Sequence, residues 1–473
     1  MYELADKKVL VIGLGARGRA ACELLRGSGA NVMAIDKADN AALRAEAVKL
    51  RALGVEVELG VSNAPDRQFA LAVVSPAVSA NAPIVQELAR RQVQVIGEFE
   101  LGYQQSHCLN VAVAGTNGKA TTGELIERVL VHSHRKTALC GHGALPICSV
   151  VPRTKELDFM ILQVNSFQLE TTRFFRPAVA VLLNLAPDHM DRYASAADYA
   201  RTLARLFQNQ QAFDWAVIQS EALAQLRALD IPIPGKVITF SANNRRADIY
   251  LDRGLLISRL PDWSWPLLDM AQCQLRGPHN AENLMAALAV GHVLHLPLDA
   301  MAGVLKAQKP DAHCCEEIAE VNGVTFINDS KATNVDALEK ALLSVPTPAG
   351  GQPNVWLIAG GKDKGSEYHY VGPLISQRVK GAFLIGEARE KIRAAWSLFT
   401  PCTVEVSLLE AVQIAVKNAV PGDVILLSPA CSSFDQFRNY QERGEVFRRA
   451  VNALATATGG GIADSHPNMQ TVN

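Results

Sequence analysis

The sequence predicts an α/β protein with three domains. Short apolar runs of four to eight residues alternate with amphipathic stretches along most of the chain, which is typical of strands that alternate with helices. Two of the apolar runs, one near residue 10 and one near residue 113, lead into glycine-rich turns that open helical stretches. Strands that alternate with helices in this way favour open and mostly parallel sheets.

Composition narrows the class of protein. The chain has 473 residues, of which 49% are hydrophobic and 20% charged, as in an ordinary globular protein with two to four domains. Its formal charge of -1 offers no basic excess for a nucleic acid. No apolar run approaches the length of about 18 residues that spans a membrane, and the N-terminus lacks a signal pattern. We therefore expect a cytoplasmic protein that binds no nucleic acid and does not insert into a membrane, and we expect its cysteines to be reduced thiols. We also expect a monomer.

The first glycine turn lies in the run KKVLVIGLGARGRAACELL. Gly13, Gly15 and Gly18 have the spacing that allows a tight turn and a close approach to a pyrophosphate, and Asp36 closes the next strand. Asp36 could accept a hydrogen bond from a ribose hydroxyl. This N-terminal part is therefore predicted to be a Rossmann-like domain that binds a nucleotide.

The second turn lies in VAVAGTNGKATT and has the architecture of a phosphate-binding loop. Lys119 is expected to reach the β- and γ-phosphates of a nucleotide, while the loop and the next helix supply backbone N–H groups. The residue after the lysine, whose hydroxyl should bind Mg²⁺, is Ala120. Thr121 follows, but its side chain is rotated by about 100° around the helix.

The remaining runs complete the domain prediction. The central part continues as a P-loop ATPase-like domain with a mostly parallel sheet, and four further strand-like runs after the proline-containing stretch near residue 310 predict a C-terminal Rossmann-like domain. The glycine-rich end lacks periodicity and favours disorder. The predicted ranges are 1–107, 108–310 and 311–457 for the domains and 458–473 for the disordered tail.

Seven motifs in order along the chain resemble those of the Mur ligases, in particular the MurD type. They are GTNGK at 115–119, NSFQLETT at 165–172, PDHMDRY at 187–193, GPHNAEN at 277–283, NDSKATN at 328–334, GGKDKG at 360–365 and SPACSSFDQFRNYQERG at 428–444. The resemblance implies that ATP and Mg²⁺ activate the carboxylate of UDP-N-acetylmuramoyl-L-alanine as an acyl phosphate, which the amine of D-glutamate then attacks.

The resemblance also implies the roles of individual residues. The UDP-sugar is expected at Gly13, Leu14, Gly15, Asp36, Ser75 and His142. The residues expected to bind ATP are Gly115, Thr116, Asn117, Gly118, Lys119, Thr121, His279 and Asn280. D-Glutamate is expected at Thr333, Lys364, Ser433 and Tyr440. Lys119 and His189 are the candidate catalytic residues, and the candidate metal ligands are Thr121, Gln163 and His189.

Four positions depart from the family pattern on the side of the site that activates the carboxylate. Besides Ala120, Gln163 replaces a metal-binding glutamate, Leu203 replaces a carbamylated lysine, and Cys314 replaces an arginine expected at the γ-phosphate. We therefore expect weakened ATP and Mg²⁺ activation.

Three functional interpretations stay open at this point. The first is a ligase with a rearranged magnesium site, and the second is a pseudoenzyme that binds UDP-sugar or amino acid in a regulatory role. An NAD-dependent oxidoreductase would explain the first glycine turn and Asp36, but it would leave the phosphate loop and the motif at 428–444 unexplained.

Overall fold

The computed structural model describes residues 3–263, 266–348 and 350–458. Contacts divide the chain into two compact units. The first unit comprises the residues up to Leu185 together with Ala197–Gln272 and Ala281–Ala307, and the second comprises Ala186–Ala196, Cys273–Asn280 and the chain from Gln308. Each of the three predicted domain ranges contains one sheet. The boundaries near 107 and 310 remain predictions, because the first two sheets lie in the same unit.

The first sheet is parallel and has the strand order β3-β2-β1-β4-β5. Its strands are β1 (Lys8–Ile12), β2 (Asn31–Asp36), β3 (Glu56–Leu59), β4 (Leu71–Val74) and β5 (Gln94–Gly97). The helices of this part are α1 (Ala16–Gly27), α2 (Ala41–Ala52), α3 (Pro83–Arg90) and α4 (Glu98–Gln105). Strand order reverses between β1 and β4, which creates the crevice at the carboxyl edge where open sheets bind ligands.

Both faces of β1, the central strand of the first sheet, are buried. Val9 and Val11 of β1 belong to one hydrophobic cluster with α1, while Leu10 and Ile12 belong to a second with α3. A strand covered on both faces needs apolar residues at every position instead of alternate ones. The Rossmann-like prediction is confirmed for this sheet.

The second sheet has nine strands in the order β14-β13-β12-β11-β10-β9-β6-β8-β7 among the described residues. They are β6 (Leu109–Ala114), β7 (Thr137–Gly141), β8 (Phe159–Gln163), β9 (Val179–Leu182), β10 (Trp215–Gln219), β11 (Lys236–Ser241), β12 (Ile249–Asp252), β13 (Leu255–Ser258) and β14 (Leu268–Asp269). Only the pairs of β12 with β13 and β13 with β14 are antiparallel within this described sheet. The mostly parallel prediction is confirmed, and β6 lies in the interior of the sheet, between β9 and β8.

The helices between α4 and the third sheet vary in length. They are α5 (Lys119–His132), α6 (Ile147–Val150), α7 (Ser166–Leu169), α8 (Ala196–Ala204), α9 (Ser220–Ala228), α10 (Pro278–Val293) and α11 (Leu298–Ala307). Short 3-10 turns occur at Val151–Arg153, Arg205–Phe207 and Met270–Gln272.

The third sheet has the order β15-β16-β20-β17-β18-β19 and is parallel except for the β15–β16 pair. Its strands are β15 (Glu316–Val321), β16 (Val324–Asn328), β17 (Val355–Gly360), β18 (Val379–Ile385), β19 (Cys402–Val404) and β20 (Val424–Leu427). Its helices are α12 (Val335–Ser344), α13 (Gly372–Arg378), α14 (Arg389–Trp396), α15 (Leu408–Asn418) and α16 (Tyr440–Thr458), with a 3-10 turn at His369–Val371.

The sequence also predicted a disordered C-terminal tail and the absence of membrane-spanning helices. The predicted tail begins at residue 458, where α16 ends, and residues 459–473 lie outside the described part of the chain. Among the described helices, none combines the length and the apolar character that a membrane span requires.

Candidate active site

The first glycine turn forms where β1 meets α1. Gly13 has a φ of +92°, a backbone angle that residues other than glycine rarely adopt. A Cβ atom on Gly18 would lie 1.7 Å from the carbonyl oxygen of Gly13, so only glycine lets α1 pack this closely on the turn. The sequence prediction for the first and third glycines therefore has a direct geometric basis.

Asp36 closes this turn from the neighbouring strand. Its Oδ2 accepts a hydrogen bond from Leu14 N at 2.7 Å, and its Oδ1 accepts one from Ala38 N at 2.9 Å. Ser75, which follows β4, donates its backbone N–H to Ile12 O at 2.9 Å. A Cβ on Gly13 would lie 2.9 Å from Ser75 Cβ. The structure thus brings the predicted UDP-sugar residues of β1, β2 and β4 together at the switch in strand order.

His142 comes to the same region from the second sheet. The turn at 141–143 follows β7, and Gly141 O accepts a hydrogen bond from Arg17 Nη2 at 3.2 Å. His142 N donates to Gln163 O at 2.7 Å, and the His142 ring lies 3.1 Å from the side-chain amide of Asn165. Arg17 was not predicted from the sequence. The sequence feature that could have identified Arg17 is a cationic residue in the first turn of a helix that is expected to bind an anion.

The phosphate loop joins β6 to α5. Gly115 and Gly118 have φ values of +142° and +89°, and α5 begins at Lys119. Lys119 Nζ donates hydrogen bonds to the carbonyl oxygens of Gly115 at 2.6 Å and Thr116 at 2.8 Å. The ammonium group is thereby held over the loop, at the positive end of the helix.

Asn184, which comes shortly after β9, holds the middle of the loop. Its backbone oxygen accepts from Thr116 N at 3.3 Å, its Oδ1 accepts from Asn117 N at 2.9 Å, and its Nδ2 donates to Asn117 O at 3.1 Å. The hydroxyls of Thr116 and Tyr199 are 3.2 Å apart. Because Asn184 engages two loop N–H groups, the first turn of α5 is the main source of donors for a phosphate. Sequence reasoning missed both Asn184 and Tyr199.

The positions after Lys119 offer few oxygen ligands to a cation. Ala120 has none, and Thr121 is 8% exposed. The hydroxyl of Thr122, the next residue, donates to Asn283 Oδ1 at 3.1 Å. Thr121 is therefore the remaining hydroxyl in this turn that could contact a metal ion.

Gln163 ends β8 and is 3% exposed. A Cβ atom added to Gly143 would lie 3.5 Å from the Oε1 of Gln163. A Cβ atom added to Gly123 would lie 3.5 Å from the Nε2 of Gln163. The amide is thus enclosed between the 141–143 turn and α5, near the phosphate loop. A neutral amide can offer one oxygen but no charge to Mg²⁺.

Leu203 lies on α8 with no exposed surface. This position is part of the apolar core, and a leucine cannot carry a carbamate. The described residues contain no group of three or more His, Cys, Asp or Glu side chains arranged to hold a metal ion.

Asp188 is the centre of a polar cluster in the second unit. Its Oδ1 accepts from His189 N at 2.8 Å and lies 3.6 Å from Lys364 Nζ. Its Oδ2 accepts from Asn334 Nδ2 at 3.3 Å and lies 3.6 Å from His189 Nε2. His189 has a φ of +58°. Thus a candidate catalytic residue and a candidate amino-acid ligand share one carboxylate, which was not predicted.

The other candidate amino-acid residues lie on loops at the carboxyl edge of the third sheet. Thr333 precedes Asn334, the N-cap of α12. The loop that carries Lys364 follows β17, and the loop that carries Ser433 follows β20, which is its neighbour in the sheet. Backbone hydrogen bonds between Lys362 and Ser432 join these two loops, at 2.8 Å and 3.2 Å.

Arg443 connects the last of these loops to the NDSKATN loop. It is completely buried, and it donates to Ser330 Oγ at 3.0 Å, to Ser330 O at 2.8 Å and to Cys431 O at 3.1 Å. Burial lowers the pKa of Arg443 to about 10, so the guanidinium remains charged at neutral pH. Ser330 Oγ in turn donates to Tyr440 O at 2.8 Å. The sequence motif contained Arg443, but no role was predicted for it.

His279 and Asn280 open α10. Burial, reinforced by the charge of Lys340, lowers the pKa of His279 to about 4, so its ring is neutral at pH 7. Its Nδ1 is buried, and no hydrogen-bond partner for it occurs among residues 3–263, 266–348 and 350–458. Asn280 Nδ2 donates to Arg276 O at 2.8 Å. The role of the pair beside adenine remains a prediction.

Cys314 stands at the start of the second unit's main segment. Its backbone N–H donates to Asp311 O at 3.2 Å, and the next residue, Cys315, donates its own N–H to Asp329 Oδ1 at 3.0 Å. A thiol at this position supplies no permanent charge to a phosphate. The structure therefore places a neutral side chain where the resemblance predicts an arginine.

Comparison with known proteins identifies the family. Three family models match the chain: "Mur ligase MurD-like, N-terminal domain" at residues 7–97, "Mur ligase middle domain" at 113–291 and "Mur ligase, glutamate ligase domain" at 315–431. A protein of Acidobacterium capsulatum named UDP-N-acetylmuramoylalanine--D-glutamate ligase is 37% identical over 95% of this chain and 97% of its own length. The chain belongs to the Mur ligase family. A ligase of the same name from Pelotomaculum thermopropionicum is also 37% identical, over 96% of this chain and 99% of its own.

Two solved structures of ligases share this fold. MurF ligase from Thermotoga maritima, solved in complex with ADP, has a TM-score of 0.60 at 16% identity and covers 96% of this chain and 97% of its own. A pseudomurein peptide ligase type C from Methanothermus fervidus has a TM-score of 0.59 at 16% identity, with 95% and 100% covered. Within the Mur ligase family, this chain therefore combines the common fold with uncharged side chains at 120, 163, 203 and 314.

Proposed function

We propose that this Mur ligase joins D-glutamate to UDP-N-acetylmuramoyl-L-alanine through an acyl phosphate formed with ATP, and that its ATP-dependent activation step is weakened. The observation that carries the proposal is the 37% identity, over 95% of the chain, to a relative named for this ligase activity. We also propose domain boundaries near 107 and 310, a cytoplasmic location and a monomeric state.

The UDP-sugar is assigned to the first glycine turn. Gly13, Leu14 and Gly15 offer backbone at a helix N-terminus, which suits a diphosphate. The site is completed by Asp36, Ser75 and His142. Asp36 already accepts from Leu14 N and Ala38 N, so its main contribution is to hold the turn in shape.

The ATP phosphates suit the loop at 115–119. Positive φ values at Gly115 and Gly118 turn the backbone around the N-terminus of α5, and Lys119 supplies the charge. Lys119 would exchange its carbonyl contacts for phosphate oxygens, which are the stronger acceptors. ATP supplies the phosphoryl group, and Lys119 offsets the negative charge that develops on it during transfer.

Mg²⁺ does not fit this donor set well. Magnesium favours carboxylate oxygens, whereas Ala120 and Leu203 carry no ligand atom and Gln163 is neutral. We keep Thr121, Gln163 and His189 as the candidate ligands, but no step of the mechanism depends on them. Each lost transition-state donor typically lowers the rate by about 10² to 10³, although losses within one site are not additive.

D-Glutamate is assigned to the loops of the third sheet. Lys364 provides a cation, and Thr333 and Ser433 provide hydroxyls, which together suit two carboxylates. The buried Arg443 fixes the position of the loop that bears Ser433. Once the amine has attacked the acyl phosphate and lost a proton, phosphate leaves and the amide remains. Tyr440 lies beside the loops that would hold the product.

Phosphate release tests the proposal. The assay would use UDP-N-acetylmuramoyl-L-alanine, D-glutamate and MgATP with the wild-type chain and with the combined change Ala120→Ser, Gln163→Glu and Cys314→Arg, which leaves the completely buried Leu203 in place. We expect slow release that depends on both substrates in the wild type and faster release in the variant. Wild-type turnover of about 1 s⁻¹ or more would contradict a weakened activation step. A wild type that neither binds nor turns over these substrates would contradict the assignment.

A second function is favoured by the contrast between the two units. The loops for the amino acid keep their family residues, while Leu203 has become part of the apolar core. A protein that binds UDP-sugar or D-glutamate without catalysis would show this pattern. Calorimetric binding of both substrates, with no phosphate released by the wild type, would support this regulatory interpretation.

A further inference from the structure

A cavity of about 720 Å³ lies at the amino edge of the second sheet, within the first compact unit. Its lining comes from the end of α4 and the start of β6, from the residues before β9, and from Asp214 before β10. The phosphate loop follows the opposite, carboxyl end of β6. Because a strand rises about 3.3 Å per residue, the length of β6 puts roughly 20 Å between the cavity and that loop. The cavity is therefore separate from the phosphate loop, and its volume is typical of a small-molecule site.

Asn110, the second residue of β6, brings a polar group to the wall of this cavity. It is 6% exposed, and its Oδ1 is buried with no hydrogen-bond partner anywhere in the described part of the chain. A buried amide oxygen without a donor is costly, and native proteins rarely keep one. An apolar residue would suit the interior of a parallel strand better. The presence of Asn110 is therefore explained more readily by a ligand than by the packing of the sheet.

The two charged residues of the lining pair with each other. Arg176 donates from Nε to Asp214 Oδ2 at 2.7 Å and from Nη2 to Asp214 Oδ1 at 3.1 Å. Burial raises the pKa of Tyr103 and that of Cys108, so both side chains are uncharged at neutral pH. The other titratable residue of the lining, His107, is exposed. The cavity therefore favours an uncharged ligand over an anion.

Aromatic side chains form the flat part of the wall. Tyr103 is held by an edge-on contact with Phe175, at 5.1 Å between ring centroids, and its hydroxyl donates to Arg176 O at 3.3 Å. The backbone N–H of Phe174 donates to Oε1 of the buried Glu100 at 2.8 Å, while Phe174 itself is 53% exposed at the cavity. A half-exposed ring on a fixed backbone, close to a second aromatic side chain, suits a flat ligand.

We propose that this cavity binds an uncharged aromatic ligand with a carboxamide-like edge, whose ring packs on Tyr103 and Phe174 and whose N–H group donates to Asn110. The amide of asparagine carries an acceptor and two donors, so it complements an edge that carries both. A carboxylate on the same ring would offer acceptors only and would leave Asn110 Oδ1 unsatisfied. The site is independent of the proposed ligase activity, since none of the residues assigned to that activity lines the cavity.

A matched pair of ligands tests this chemistry on the full-length chain. Benzamide and benzoate have the same ring and nearly the same size, but only benzamide is uncharged and carries an N–H donor. Titrations followed by ligand-observed NMR would give a Kd for each. We expect benzamide to bind and benzoate to bind at least about tenfold more weakly. Absence of benzamide binding at millimolar concentration would overturn the proposal, and so would equal affinities for the two ligands.

Asn110→Leu separates a binding role of the amide from a structural one. The substitution keeps the size of the side chain and removes the amide, so we expect benzamide binding to weaken by about tenfold. The midpoint of urea denaturation should stay unchanged or rise, because an unpaired polar group in the interior is replaced by an apolar one. A lower midpoint would show that Asn110 supports the fold, and unchanged binding would show that the ligand lies elsewhere. Either result overturns the proposal.

Two phenylalanine variants test the aromatic wall. Phe174→Ala should weaken benzamide binding by about 3- to 10-fold. Phe213→Ala is the matched control and should leave it unchanged, because Phe213 is 65% exposed but does not line the cavity. Both rings lie against an arginine, at 5.3 Å from the Arg173 guanidinium for Phe174 and at 4.6 Å from that of Arg176 for Phe213. Equal benzamide affinities of the two variants would overturn the assignment of the cavity.

Discussion

Lys364 Nζ lies 3.6 Å from Asp188 Oδ1, so the lysine assigned to a ligand carboxylate already faces a carboxylate of the protein. The side chain of Lys364 is 20% exposed and that of Asp188 is 10% exposed, which limits screening by water. Asn334 and His189 contact the same carboxylate. The pair holds the ammonium in place before any amino acid binds, and Lys364 keeps further N–H donors for the ligand.

Removal of this ammonium should impair amino-acid binding. We expect Lys364→Ala to weaken D-glutamate binding by tenfold or more, because charge-assisted hydrogen bonds contribute about 1.5 to 3 kcal/mol. Lys362→Ala is the matched control, since Lys362 is exposed and joins the neighbouring loop through its backbone. Calorimetry with D-glutamate provides the measurement. Equal affinities of the two variants would contradict the assignment of Lys364.

The loss of Arg443 should loosen two loops at once. Arg443→Met removes three hydrogen bonds and leaves the carbonyl oxygens of Ser330 and Cys431 without that donor in the interior. We expect a loss of about 3 kcal/mol or more in the free energy of unfolding. Denaturation by urea would measure it, with the exposed Arg449→Met as control. If both variants unfold at the same urea concentration, Arg443 does not hold the loops.

Leu203→Lys alone should destabilise the protein. Its side chain is completely buried, and an uncompensated ammonium in that position costs several kcal/mol. Leu203→Met is the matched control, since a change that conserves volume usually costs less than about 1.5 kcal/mol. The midpoint of urea denaturation should fall clearly for lysine and little for methionine. An unchanged midpoint for lysine would mean that the pocket can accept a charged or carbamylated side chain.

His279 should make stability depend on pH in the acidic range. Burial and the nearby Lys340 lower the pKa of His279 from 6.5 to about 4 in the folded chain. The folded state therefore binds fewer protons than the unfolded state between these values. Stability from the neutral ring is complete above pH 6.5 and is lost as the pH falls towards 4. Asp336, also near His279, acts in the opposite direction on its pKa.

His279→Gln checks this dependence because glutamine is uncharged throughout that range. Urea denaturation of the wild type and the variant would be compared at steps from pH 7.5 to pH 4.5. The comparison cancels other groups, such as Asp329, whose pKa burial raises to about 7 and whose effect on stability has the opposite sign. We expect the variant to lose less stability than the wild type as the pH falls. Parallel curves would contradict the prediction.

The sequence predicted those parts of the molecule that depend on neighbours in the chain. Apolar runs such as the one in β6 predicted strands of mostly parallel sheets, and glycines that have positive φ in the structure, such as Gly13 and Gly118, marked both turns. The sequence also showed that the side chains of Ala120 and Leu203 cannot bind a metal ion, because they contain no ligand atom in any fold. The motif order predicted the family for the same reason, since each motif is local.

The tertiary structure decided which distant polar groups meet. Asp188 is 146 positions from Asn334, Arg17 is 124 positions from Gly141, and Arg443 is 113 positions from Ser330. Long polar side chains carry no periodic signal, and their partners depend on the order of strands in a sheet and on which loops those strands bring side by side. The type of a residue therefore indicated which groups it could contact, whereas the order of the strands determined which groups it contacts in the folded chain.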